Sequence, residues 1–287
     1  MKKGTARAYS GTISNLTDFI YPLKDIDISD INTNFLRRFE EYLLQRVTSN
    51  SSSTYFNCIR GIHSAAKREF NEEDRGVIHI PFSPFEYFEA KEAKAPKKRA
   101  ITTELMQAII DFKPKKKQSV FGRDCFLLSF GLIGMNAIDL HSAKADKKNI
   151  LVYNRTKTKD RRADDAEMRV MIEPCIAELV EKYRDKTGVR MFNFYKRHET
   201  IDGLNCYLSR AMKALCAEMG IEPITFYAAR HTWATIARSA ACGIDKYTVH
   251  EALNHSDPEM RITDMYIERD WTVIWNANKK VLGLFDF

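Results

Sequence analysis

The sequence has 287 residues, of which 44% are hydrophobic and 29% are charged, and it carries a formal net charge of +7. This length is enough for two domains with buried cores. No apolar run approaches the roughly 20 residues that a membrane-spanning helix needs, which argues against a membrane protein. The first residues lack the apolar segment of a signal peptide, so we expect a cytoplasmic protein. The positive charge favours a polyanionic partner such as nucleic acid.

The cysteines are widely spaced along the chain, and none stands in a C-x-x-C pair or beside histidines at metal-ligand spacing. We therefore expect reduced and mostly buried thiols. The sequence predicts neither a disulfide, a metal site nor a cofactor.

Residues 1–88 have the periodicity of a compact helical domain. Helices are predicted over 5–19, 32–45 and 51–70. The second of these presents a single apolar stripe, formed by Phe35, Leu36, Phe39, Tyr42 and Leu43. Residues 89–100 are rich in alanine and lysine and contain no large apolar side chain, which predicts an interdomain linker.

Residues 101–287 are predicted to form a second, larger domain. Its predicted helices cover 101–112, 119–132, 175–183, 202–219 and 232–241. Two short apolar segments, 150–153 and 169–172, flank a strongly charged loop and predict a β-hairpin. Asp257 and Pro258 predict the start of a further helix that carries Tyr266.

Three sequence boxes in the second domain carry residues suited to phosphate chemistry. Arg230 and His231 lie in Y-A-A-R-H-T-W-A-T, His255 lies in L-N-H-S, and Tyr266 follows. This order and spacing resemble the tyrosine recombinase (phage integrase) family. In that family an H-x-x-R-H-[TS]-[FW]-A-[TS] box precedes L-G-H-[SK] and a nucleophilic tyrosine.

The resemblance implies a role for each residue. Tyr266 would attack the scissile phosphate and form a 3′-phosphotyrosyl link. Arg230 would contact the phosphate through two hydrogen bonds, and His255 would donate one to a non-bridging oxygen. Lys157, in the loop of the predicted hairpin, would be the general acid, with Lys159 as second choice.

The family's architecture also sets expectations for fold and partners. The resemblance implies a mainly α protein with a small β-hairpin, in which a helical SAM-like core-binding domain (1–88) and a catalytic domain (101–287) clamp double-stranded DNA. Lys97, Lys98 and Arg99 of the connecting linker are expected to contact that DNA, as are Lys159 and His231. We expect dimers or tetramers on DNA, no cofactor, no metal and no membrane association. The implied activity is that of a site-specific integrase of a mobile element.

Two positions depart from the family pattern. The family's first box, T-G-L-R-x-x-E-L, contains a second phosphate-binding arginine, and the corresponding G-M-N-A-I-D-L places Asn136 there. Losing one such charge costs on the order of 3 kcal/mol if nothing compensates. A branch with Asn or Ser at this position resembles the sequence best, and Arg123 is a weak candidate for the missing charge. Tyr227 stands where the family usually has histidine.

Several alternatives remain open from sequence. The chain could be a recombinase-derived regulator that binds DNA without cutting it, a DNA invertase, or a type IB topoisomerase, and a plain helical scaffold is the least informative reading. The apolar end, residues 281–287, resembles a segment that recombinases dock onto a neighbouring protomer, and packing on its own domain is the alternative. The DNA site, accessory proteins, the choice among integration, excision and inversion, and whether an N-terminal arm-binding domain was removed are not encoded in any local motif.

Overall fold

The computed structural model describes residues 3–23, 25–91, 98–144, 149–255 and 266–287. The chain divides into two compact units, residues 1–97 and 98–287. This division falls inside the stretch 89–100, and the linker boundaries themselves stay a prediction. The described helices are α1 (Lys3–Ile20), α2 (Thr33–Leu44), α3 (Ser49–Phe70), α4 (Thr103–Asp111), α5 (Lys117–Gly131), α6 (Ala137–Ser142), α7 (Pro174–Tyr183), α8 (Phe194–Arg197), α9 (Ile201–Met219), α10 (Ala228–Ala237), α11 (Lys246–Ala252) and α12 (Trp271–Leu282). The strands are β1 (Ile150–Asn154) and β2 (Glu167–Met171).

The first unit is the predicted helical domain. Polar side chains start its helices: Asn32 accepts a hydrogen bond from the backbone N–H of Phe35 at α2, and Thr48 caps α3 in the same way. The apolar stripe of α2 forms the centre of the core, where the rings of Phe39 and Phe56 meet edge to face with centroids 5.9 Å apart. His63 is 3% exposed and is therefore part of the packed interior of this unit.

Helix α5 is the central element of the second unit. It is buried nearly all round, as its apolar composition predicts, and it packs against α7, α9 and α10. Gly122 allows the closest approach, because a Cβ atom at this position would lie 2.8 Å from the carbonyl carbon of Ala211 in α9. The surrounding helices α7, α9 and α10 therefore share α5 as a common packing partner.

The predicted β-hairpin is present. Strands β1 and β2 pair antiparallel with Val152 opposite Arg169, and alternate residues of each strand are buried. The loop between the strands therefore projects from one end of this two-stranded sheet. That loop contains Lys157 and Lys159.

The helix predicted over 232–241 starts and ends four residues earlier in the structure. Helix α10 begins at Ala228 and ends at Ala237. The turn before it is closed by backbone hydrogen bonds from Ala228 and Ala229 to the carbonyls of Thr225 and Phe226. Thr232 was read as a helix start, but its side chain is fully buried and accepts a hydrogen bond from the backbone N–H of Ile101 at 3.0 Å. Threonine often caps helices, but Thr232 lies inside α10 and makes a tertiary contact instead.

Helix α12 was not predicted. Asp270 caps it by accepting a hydrogen bond from the Thr272 N–H, and its apolar face is buried against α10, α11 and β2. Beyond the helix, the ring of Phe285 packs edge to face on Phe130 of α5 with centroids 5.6 Å apart.

The end of the chain packs on its own domain. Val281 and Leu282 are almost completely buried there, whereas Leu284 and Phe287 are 42% and 39% exposed. Packing on its own domain, the alternative to docking on a neighbouring protomer, is therefore observed for Val281, Leu282 and Phe285. The helix predicted to start at Asp257 lies outside the described residues.

Candidate active site

Arg230 on α10 is the centre of the site. Its side chain is only 6% exposed, and its Nη1 donates to the carbonyl of Gly134 at 3.1 Å. Its Nη2 donates to the carbonyl of Leu253 and lies 3.4 Å from Nε2 of His255. Residues from two of the three sequence boxes therefore meet at one guanidinium group.

Gly134 makes this arrangement sterically possible. It has a positive φ of 65°, and a Cβ atom there would lie 2.6 Å from Cα of Arg230. Any side chain at this position would collide with the backbone of α10. The glycine that begins the G-M-N-A-I-D-L box therefore allows the box to lie against the Arg230 helix.

His255 is kept neutral at physiological pH by its surroundings. Partial burial of the imidazole, followed by the charges of Arg230 and Arg155 and by His250 and Lys157, lowers its pKa to about 4. The ring of His250 contacts it edge to face at 5.1 Å. An anion bound beside these groups would offset the repulsion and raise the pKa of His255 again.

Asn254 holds the backbone that presents His255. It has a left-handed φ of 51°, is 1% exposed, and donates through Nδ2 to the carbonyl of Ala166 at 2.8 Å. The family has glycine here, which adopts this conformation without strain. Asparagine tolerates the same conformation and adds a bond to the end of the hairpin loop.

Arg155 is a functional candidate that the sequence did not reveal. It follows β1, is 7% exposed, and its Nη1 donates to the carbonyls of Leu253 at 3.2 Å and Asn254 at 3.0 Å. Leu253 thus accepts hydrogen bonds from both Arg155 and Arg230. Its position in a basic loop gave no sign of this burial.

One buried carboxylate lies near the two arginines. Asp139 is 2% exposed and accepts a hydrogen bond from the backbone N–H of Thr156 at 3.0 Å. Burial raises the pKa of Asp139, while the hydrogen bonds from Thr156 and the charges of Arg155 and Arg230 oppose that rise. Its carboxylate fixes the start of the loop that contains Lys157.

Lys157 lies in this loop with an exposed side chain, and its charge contributes to the low pKa of His255. The backbone N–H groups of Thr158 and Lys159 both donate to the carbonyl of Arg155 at 3.0 Å, so the loop turns tightly. Lys159 is exposed at the start of a short 3-10 helix. Both candidate acids are thus solvent-accessible, and the charge of Lys157 acts on His255.

Tyr227 and His231 lie at the start of α10, one turn apart. Tyr227 is 39% exposed, and its ring contacts that of His231 edge to face at 5.0 Å. Burial and the charges of Arg99 and Arg230 lower the pKa of His231. Lys98 and Arg99 are exposed, as a DNA contact requires, whereas Lys97 lies outside the described residues.

Asn136 precedes α6, and its backbone carbonyl accepts hydrogen bonds from the N–H groups of Asp139 and Leu140. Its side chain makes no capping hydrogen bond, and no contact places it on Arg230 within the described residues. Arg123, the weak candidate for the missing charge, donates instead to the carbonyls of Ile109 and Ile110. The guanidinium of Arg123 is therefore engaged at the end of α4.

Tyr266 lies at the surface, with its side chain 85% exposed. Residues 256–265, which connect it to His255, lie outside the described residues. In the part of the chain that is described, no group of three or more His, Cys, Asp or Glu side chains is placed to hold a metal ion, and no helix is long and apolar enough to cross a membrane. The thiols of Cys58, Cys125, Cys216 and Cys242 are free and buried, and those of Cys175 and Cys206 are free and exposed.

The chain thus contains a helical unit and a mainly helical unit, and the hairpin of the second unit lies beside the buried Arg230 and the exposed His255. Residues 1–74 match the family model of the phage integrase SAM-like domain. A search of curated protein sequences gave no match.

Solved structures of similar fold include three DNA recombinases. A lambda integrase tetramer bound to a Holliday junction has 17% identity and a TM-score of 0.65, with 90% of this chain and 73% of that chain covered. The Tn1549 transposon integrase in complex with transposon right end DNA has 14% identity and a TM-score of 0.67, with 99% and 95% covered. The XerH site-specific recombinase bound to difH substrate has 13% identity and a TM-score of 0.60, with 95% and 78% covered. The predicted fold class, mainly α with a small β-hairpin, is confirmed, and the fold is that of these integrase structures.

Proposed function

We propose that the chain is a tyrosine site-specific recombinase, the integrase of a mobile element, that cleaves and rejoins DNA through a 3′-phosphotyrosyl intermediate. The observation that carries the proposal is the meeting of Arg230 with His255, 3.4 Å apart, beside a hairpin loop that carries Lys157. These groups provide cationic charge and hydrogen-bond donors in a partly desolvated place, which is what a phosphodiester transition state needs.

Each group has a distinct part in the reaction. The Tyr266 oxygen attacks phosphorus while the bond from phosphorus to the 5′ oxygen breaks, and Lys157 donates the proton that this leaving oxygen takes up. Arg230 and neutral His255 bind the non-bridging oxygens, where negative charge develops. The phenol proton leaves to solvent or to a basic side chain. Attack by a 5′-hydroxyl reverses the sequence and joins the new strand.

Double-stranded DNA is the proposed partner. The exposed Lys98, Arg99 and Lys159 and the net charge of +7 support binding to phosphates. Lambda integrase was solved as a dimer on a core site and as a tetramer on a Holliday junction. We propose that this chain also acts as a multimer on DNA, in the cytoplasm. The contact of Lys97 with DNA remains a prediction.

Covalent trapping on DNA tests the activity. Nicked duplexes that carry the ends of the encoding element would be incubated with the wild type, Tyr266→Phe, Arg230→Ala and a control, Tyr247→Phe, which changes a 39% exposed tyrosine of α11. We expect a denaturation-resistant protein–DNA band with the wild type and with Tyr247→Phe, and no band with the other two variants.

The Asn136 departure supports one other candidate, a regulator that binds DNA without cutting it. Specific binding to the element ends without a covalent band would establish that candidate. A covalent band that survives Tyr266→Phe would show that another residue is the nucleophile. Inversion rather than integration would appear in the products of two-site substrates.

A further inference from the structure

We propose that Arg155 is the second phosphate-binding cation of the site and takes the place of the arginine that is absent at Asn136. This inference rests on the proposed function, since it assigns a further catalytic residue to the same reaction. Arg155 and Arg230 come from different elements, yet both donate to the carbonyl of Leu253. Their guanidinium groups therefore converge on one side of the loop that presents His255.

The hydrogen bonds of Arg155 leave it incompletely satisfied. Its Nη1 is held by the carbonyls of Leu253 and Asn254, but its Nε is buried and has no hydrogen-bond partner among the described residues. A buried donor without a partner costs about 1–3 kcal/mol, and more when the group is charged. An oxyanion bound beside the guanidinium would supply the missing acceptor.

The charges of the site point to the same ligand. Arg155 and Arg230 are both buried, and the nearby buried carboxylate of Asp139 can balance only one of them. Burial and the charge of Arg155 lower the pKa of Arg230, and the same two arginines lower that of His255. A phosphodiester brings one negative charge shared by two non-bridging oxygens, which two convergent guanidinium groups can bind together.

The position of Arg155 also links phosphate binding to the proposed acid. Its carbonyl accepts the hydrogen bonds that turn the loop after Lys157, and its own N–H donates to the carbonyl of Ala166 at 2.9 Å. The same residue therefore contacts the His255 loop through its side chain and the Lys157 loop through its backbone. Asn136 has no comparable contacts with Arg230 or His255 among the described residues.

The test compares Arg155→Gln and Arg155→Lys with Arg169→Gln, which removes a charge from the same hairpin at an exposed position. On nicked duplexes with a normal scissile phosphate, we expect Arg155→Gln to form the covalent complex about 100-fold more slowly than the wild type. Arg155→Lys should keep part of the rate because it keeps the charge, and Arg169→Gln should match the wild type.

A second substrate separates a charge role from a structural one. A methylphosphonate at the scissile position removes the negative charge of the phosphodiester. On this substrate, the rate of Arg155→Gln should therefore be much closer to the wild-type rate than it is on the phosphodiester. A defect of Arg155→Gln that is equally large on both substrates would mean that Arg155 only holds the loop. A normal rate on the phosphodiester would also overturn the proposal.

If the wild type forms no Tyr266-dependent covalent complex, the proposed function is wrong. Sulfate binding then still tests whether Arg155 binds a phosphate-like anion. Sulfate would be titrated into the full chain and followed through the ring resonances of His255. We expect about ten-fold weaker binding in Arg155→Gln than in Arg169→Gln, which corresponds to one lost charge-assisted hydrogen bond. Equal affinity in the two variants would refute a phosphate-binding role for Arg155.

Discussion

Asn278 joins three parts of the second unit through one buried amide. It is fully buried on α12, accepts a hydrogen bond from Nε1 of Trp233 on α10 at 2.8 Å, and donates to the carbonyl of Gly131 at 2.9 Å. Gly131 is the last residue of α5, so its carbonyl has no partner within the helix. The amide thus fastens α12 to the helix that carries Arg230.

Replacing Asn278 by alanine leaves the indole N–H and the carbonyl without partners. Each orphaned buried group costs about 1–3 kcal/mol, which predicts a loss of about 2–6 kcal/mol in the free energy of unfolding. That is a large part of the roughly 5–15 kcal/mol that a domain has in total. Because α12 covers α10, we also expect weaker covalent trapping.

Urea unfolding followed by tryptophan fluorescence measures this loss selectively. Trp233, Trp271 and Trp275 are the tryptophans of the chain, and all lie in the second unit. The matched control is Asn276→Ala, on the exposed face of α12, which should stay within about 0.5 kcal/mol of the wild type. A shift for Asn278→Ala no larger than that of the control would show that the network does not stabilise the domain.

Three further predictions concern the site. Gly134→Ala should lower the free energy of unfolding by at least about 1–2 kcal/mol, from the left-handed backbone alone, and displace Arg230; an unchanged urea midpoint would contradict this. Asn254→Gly should keep the left-handed turn but lose about 1 kcal/mol with its hydrogen bond, and Asn254→Val should lose more; equal midpoints for the two variants would show that backbone strain at this turn is unimportant. The ring of His255 should titrate near pH 4 in NMR spectra, and Arg155→Gln should raise that pKa; a wild-type midpoint near 6.5 would refute the electrostatic description. Because the pKa of His255 is lower in the folded than in the unfolded protein, this histidine makes the protein less stable as pH falls from about 6.5 to about 4.

Much of the fold followed from local patterns. The apolar stripe of α2, the continuous apolar surface of α5 and the alternation in β1 and β2 each predicted an element within a few residues of its observed bounds. Periodicity works here because each pattern reflects one face turned towards one core. Helix α12 was missed because its apolar residues are interrupted by asparagines and lysines, one of which, Asn278, is buried for a tertiary reason.

The candidate site also contains some residues that local patterns reveal and one that they do not. The sequence by itself identified the candidates, namely the arginine, histidine and tyrosine of the three boxes, the lysine of the hairpin loop and the absence of arginine at Asn136, because these are residue types at recognisable spacing. Only the tertiary structure decided that Arg155 joins Arg230, since the two meet through the carbonyl of Leu253, far from Arg155 in sequence. A basic residue in a charged loop looks solvent-exposed until packing buries it. Whether a charge faces water or another charge depends on which loops the fold brings together, and no local pattern contains that information.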